Sequence, residues 1–143
     1  MSDQTLKLVL GGVLLLHGLG HGGALAALAW IDRFGGSSTG GWLAARSWLL
    51  PSLPSSTATA VACAFWIVAL GGFVAAALSF WGIALPAGAW RPLAVGAALV
   101  SIAGIGLFLG TWPAFNTLAA LAVNAGALAA AVWLVWPPEA GVV

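Results

Sequence analysis

Charge is almost missing from this chain. Four basic and three acidic side chains are spread over 143 residues, where an ordinary soluble domain is about a quarter charged. That scarcity excludes a soluble globular domain. A net charge of +1 is too small for a nucleic-acid footprint and too small to keep a disordered chain solvated. Cysteine is equally scarce. Cys63 stands alone, which excludes an internal disulfide, and no Cys-x-x-Cys pair is present to hold zinc or an iron–sulfur cluster. What fills the chain instead is apolar, 62% of it hydrophobic, and the class left standing is an all-α, polytopic membrane protein.

A bilayer core about 30 Å thick needs roughly 20 apolar residues per helix, because backbone polar groups in lipid must be satisfied within their own segment. Four stretches meet that requirement, at about 6–30, 58–81, 93–110 and 114–136, and together they make residues 1–143 one transmembrane domain. The first stretch is read as a retained span, since its apolar run is too long for a secretory signal peptide. Trp30, Trp81, Trp90, Trp112, Trp133 and Trp136 fall at or near the expected ends, at the depth an amphipathic indole prefers. Trp66 alone lies well inside a span. Pro86, Pro92 and Pro113 mark short connections, so the last two spans are expected to pack as an antiparallel pair. The long connection begins with a Gly/Ser linker at 35–41 and continues through 42–50, where Trp42, Trp48, Leu49 and Leu50 suit a short interfacial helix.

The fold expected is a four-helix membrane bundle with that interfacial helix after the first span. With four spans both termini share one face, together with Lys7 and Arg91, while Arg33 and Arg46 lie on the other. The positive-inside count is therefore even. Cytoplasmic termini are the orientation adopted, because no translocated amino-terminal domain is seen.

An ionisable side chain within a span points to function, because burying it in hydrocarbon is costly. His17 and His21 are the two, at i and i+4 on one face of the first helix. Counting inward from the span ends puts other polar groups at their depth. His21 lies nine residues before Trp30, Asn124 ten after Ala114, and Ser101 ten after Arg91. At about 1.5 Å per residue these four side chains fall within a turn or two of the midplane, so a shared polar cluster is expected. Asn116, Ala120, Asn124, Ala127 and Ala131 follow one face of the fourth span, and Ala94, Ala97, Ser101 and Gly104 one face of the third. Small residues of this kind let helices approach closely. Gly18 with Gly22, and Gly106 with Gly110, carry the Gly-x-x-x-Gly spacing and are assigned to packing within the bundle.

Three readings of the histidine pair stand at this point. In one, His17 and His21 bond to Asn124, Ser101 or backbone carbonyls and fix helix register. In another they hold a metal or a haem. Zinc would need a third ligand, for which Cys63, Asn or water would have to serve, and two histidines stacked on one helix face cannot occupy both axial positions of one haem iron. In the third they form the polar end of a pocket for a quinone or another lipophilic ligand with carbonyl oxygens, with Trp66, Phe65, Phe73 and Phe108 as aromatic lining. A proton-coupled carrier is disfavoured by the lack of an intramembrane acid. A hydrolase is disfavoured because Ser101 has no acid to orient a histidine base. No catalytic activity of its own is expected.

Leu14–Leu15–Leu16–His17–Gly18–Leu19–Gly20 resembles the amino-terminal motif of the DoxX-like group of small bacterial membrane proteins. Arg46–Ser47–Trp48–Leu49–Leu50, Ser101, Trp112–Pro113–Ala114–Phe115–Asn116 and Asn124 resemble small four-span bacterial membrane proteins with a His-Gly-x-x-His start. The first resemblance implies an accessory role beside a quinone-linked membrane oxidoreductase. The chain departs from that group in having no acidic residue in the second span and no Gly-Pro-Gly followed by an acid near the last. Taken together the sequence leads to a bacterial inner-membrane protein, either an accessory or structural subunit or a binder of a lipophilic ligand near His17 and His21. Its partners are the lipid bilayer and other membrane subunits or a second copy, and nucleic acid is not among them.

Overall fold

A computed structural model describes residues 3–34 and 47–133 of the chain. All regular structure among the described residues is helical, and four of the helices are long and apolar enough to cross a membrane. The protein is a multi-pass membrane protein of the all-α class. Helix α1 spans Asp3–Phe34, α2 Ser55–Phe80, α3 Trp90–Leu107 and α4 Ala114–Leu128, and a π-helical segment, Ala129–Trp133, continues α4. A single 3-10 turn, Ala87–Ala89, leads into α3.

The helix limits follow from local chemistry. Pro54 and Pro113 stand immediately before α2 and α4, where a missing backbone N–H costs nothing. Pro92 is accommodated in the first turn of α3 for the same reason, so that helix begins three residues before the expected 93. It also stops three residues short of 110. Gly110 has φ +85°, a left-handed backbone that a helix cannot contain and that glycine adopts without strain. Helix α1, 32 residues long, extends beyond the expected 6–30 at both ends, and at about 1.5 Å per residue it outruns the hydrocarbon core. The last residues of the expected fourth span, 134–136, lie outside the described residues. So do residues 42–46 of the expected interfacial helix, and 47–50 are an irregular connection rather than helix. There the indole of Trp48 donates to the Gly106 carbonyl at 2.7 Å.

The helices pack in chain order, α1 on α2, α2 on α3 and α3 on α4. Helix α2 is the centre of the molecule. Its buried residues Ala62, Trp66, Ala69, Phe73, Ala76 and Phe80 recur at alternating steps of four and three, the spacing of a continuous packing seam. Close approach at this seam depends on glycine. A Cβ on Gly18 would lie 3.1 Å from Phe73 Cβ and 3.3 Å from the Leu70 carbonyl oxygen, and one on Gly11 only 2.2 Å from Trp81 Nε1. The Trp81 indole crosses Gly11 to donate to the Lys7 carbonyl at 2.9 Å. Between α2 and α3 the tight points are Gly72 against Ala97 and Gly104 against Phe65. Gly22 has only ordinary contact with Leu70. Gly106 and Gly110 depart from the expected packing pair, because a Cβ on either meets no atom within 4 Å.

Two apolar clusters fill the interior. One, on the side of the termini, contains Leu14, Phe73, Phe80, Trp90 and Ala97. The other, toward the long connection, contains Ala24, Ala58, Ala62, Trp66 and Phe108. Along α1 the two histidines stand between them.

Candidate functional site

The polar groups at mid-depth converge. His17 Nε2 lies 2.8 Å from Asn124 Oδ1; the amide oxygen can only accept, so the imidazole N–H donates. Asn124 Nδ2 donates to Ser101 Oγ at 2.8 Å. Ser101 Oγ in turn lies 3.1 Å from His21 Nε2. With His21 carrying its proton on Nδ1, the serine hydroxyl donates to it and all three bonds run one way, from α1 through α4 and α3 back to α1. Bonds so aligned polarise one another in a low-dielectric interior.

Each member owes its place to a buried stripe. Ser101 is 1% exposed and Asn124 0%, and Ser101 belongs to the α3 row Ala94, Ala97, Ser101 and Gly104, all buried. On α4, Asn124 is the buried residue and Ala131 follows it in the π segment, while Ala120 and Ala127 are half-buried and Asn116 is exposed. The inward face expected from 116 to 131 therefore holds for its carboxy-terminal part only, because the start of α4 stands away from the bundle. His21 is 7% exposed and His17 is half-buried. Beneath both rings lies Phe73. Its ring centroid is 4.6 Å from that of His17, edge to face, and 6.2 Å from that of His21, stacked. The imidazoles themselves are 5.1 Å apart.

Beside this network is a cavity of about 330 Å³ between α1 and α4. His17, His21 and Trp66 line it, as do Trp112, Asn116 and Ala120. The cavity is open at the apolar outer surface of the bundle, and of its lining residues Leu16 is 69% and Phe115 80% exposed. Of the aromatic residues expected to line a pocket, Trp66 does so. Phe73 underlies the imidazoles instead, Phe65 lies against Gly104, and Phe108 packs in the apolar cluster with Trp66. The position of Trp112 at a span end places it at the membrane interface. It also forms a cavity wall, edge to face with Trp66 at 5.0 Å, a role that no spacing in the sequence signals.

Among the described residues that line the site there is no Lys, Arg, Asp or Glu. Among the described residues no group of three or more His, Cys, Asp or Glu comes together to hold a metal. Both Nε2 atoms are engaged in the network, so a metal binding through them would have to displace Asn124 and Ser101. What the arrangement can do is hydrogen-bond to a neutral polar group within hydrocarbon. Comparison with protein-family models, curated proteins and solved structures finds no match to this chain.

Proposed function

We propose that this protein binds a neutral lipophilic ligand, with a carbonyl or hydroxyl group of that ligand held beside His17, His21, Ser101 and Asn124 and its body in the cavity between α1 and α4. The observation that carries the reading is a laterally open cavity whose wall includes both histidines of a buried hydrogen-bonded network. A purely structural network would serve as well in a filled interior. Pockets lined mostly by apolar and aromatic groups with a few convergent polar ones are the usual form of small-molecule sites. The setting is a bacterial inner membrane with cytoplasmic termini, and the resemblance to DoxX-like proteins supports a quinone as one ligand of this class. In that case the chain is an accessory subunit beside a quinone-linked oxidoreductase.

The test is lipid analysis of the protein purified from its native membrane in mild detergent, alongside an optical spectrum and metal analysis. One carbonyl-bearing lipid should co-purify near stoichiometrically and be lost from Ala120→Trp, which fills the cavity without removing a member of the network. Identical lipids on the two proteins would overturn the reading. A Soret band or a stoichiometric metal lost in His17→Ala would replace it with haem or metal binding.

A further inference from the structure

A second cavity, of about 180 Å³, lies between the same two helices on the side of the termini. Leu10, Val13 and Leu14 of α1 face Gly126, Ala127 and Ala130 of the last span across it. Phe80 and Trp90 close its inner end, edge to face at 5.0 Å. The described residues that line it are all apolar. The two cavities meet at Val123, which lines both, and the His17–Asn124 hydrogen bond crosses from α1 to α4 between them. Helices α1 and α4 otherwise have little direct packing, so the pair of cavities forms one interrupted groove facing lipid. From Leu10 to Ala24 at about 1.5 Å per residue the groove runs about 21 Å, some two-thirds of the hydrocarbon thickness.

Resting on the function proposed above, we infer that the second cavity holds the hydrocarbon chain of the same ligand, so that the ligand is a neutral lipid with a single unbranched or prenyl-type chain. The head sits against the histidines, and the chain passes over Val123 on the lipid side of the His17–Asn124 bond and turns in against Phe80 and Trp90. Three observations select this occupant. Among the described residues no Lys, Arg, Asp or Glu lines either cavity, which favours an uncharged head over a phosphate or carboxylate. The polar side chains are confined to the first cavity, while the second is lined by apolar residues, which matches a molecule polar at one end only. One apolar cavity of about 180 Å³ adjoins the head site at Val123, which suits a single chain.

Binding of alkyl methyl ketones to the full chain in nanodiscs tests this, with probe expressed per lipid so that membrane partitioning cancels between hexyl and hexadecyl homologues. A terminal diazirine on the hexadecyl probe reports where the chain lies. The expected result is tighter binding of the hexadecyl probe by about tenfold or more, with cross-links to the peptide that contains Gly126–Ala130. Gly126→Leu fills the second cavity, and a Cβ at that position meets no atom within 4 Å. It should abolish the chain-length preference and leave hexyl affinity unchanged. Equal affinity for the two homologues, or a preference that survives Gly126→Leu, overturns the chain site and leaves the head site standing. Absence of binding by either homologue, or binding unchanged in Ala120→Trp, overturns the proposed function instead.

Discussion

At the scale of single residues the weight falls on Asn124. It is bonded on both sides, to His17 and to Ser101, it joins α4 to the rest of the network, and it is fully buried. Intramembrane hydrogen bonds average about 0.6 kcal/mol each, so losing two and stranding two partners sets an expected cost of about 1–2 kcal/mol for Asn124→Ala. His17→Ala breaks one bond at a half-buried position and should cost about half as much. Unfolding in mixed detergent micelles checks both, and the double variant His17→Ala/Asn124→Ala should cost less than the two singles combined, because they share a bond. Full additivity would mean that the 2.8 Å contact contributes nothing. The residues of this cluster were legible because depth can be counted from the span ends, and a polar side chain at mid-depth has few places to go. Phe73 and Trp112 were not legible as parts of it. Counting gives height along a helix axis but not the direction a side chain faces across the bundle.

At the scale of helices, the same Gly-x-x-x-Gly spacing means two different things in one chain. Gly18 lies in the α1–α2 seam, whereas Gly106 is exposed on α3 and Gly110 sits in a turn. Gly18→Leu is therefore expected to destabilise by about 2–3 kcal/mol through overpacking against Phe73 and the Leu70 carbonyl. Gly106→Ala should be neutral or stabilise by up to about 1 kcal/mol, as for glycine replaced within a helix where space is open. Thermal unfolding of the two variants in one detergent separates the sites; equal losses would remove the distinction. Gly11 was not recognisable as a contact at all, because its partner Trp81 lies 70 residues away in sequence and is itself drawn to Lys7 by a hydrogen bond. The spans themselves were readable to within a few residues from apolar length and proline placement. The irregular 47–50 connection depends on tertiary contacts, such as Trp48 with Gly106, that periodicity does not encode.

At the scale of the whole molecule, the four helices form an open row rather than a closed ring. Lipid that carries a photoactivatable group should accordingly label Leu16 on α1 and Phe115 and Leu118 on α4, all strongly exposed, and spare Phe73 at the centre; mass spectrometry of labelled peptides reads the pattern. Strong label at Phe73 would mean that α2 is not the core. The row has a further meaning for how the protein is made. Each helix packs against the one synthesised just before it, so α1 and α2 can pair in the bilayer while α3 is still on the ribosome, and no span must wait for a distant partner to cover its main apolar seam. His17 and His21 are the exceptions. The partner of His21 arrives with α3 and that of His17 with α4, so the polar circuit closes only at the moment Asn124 docks.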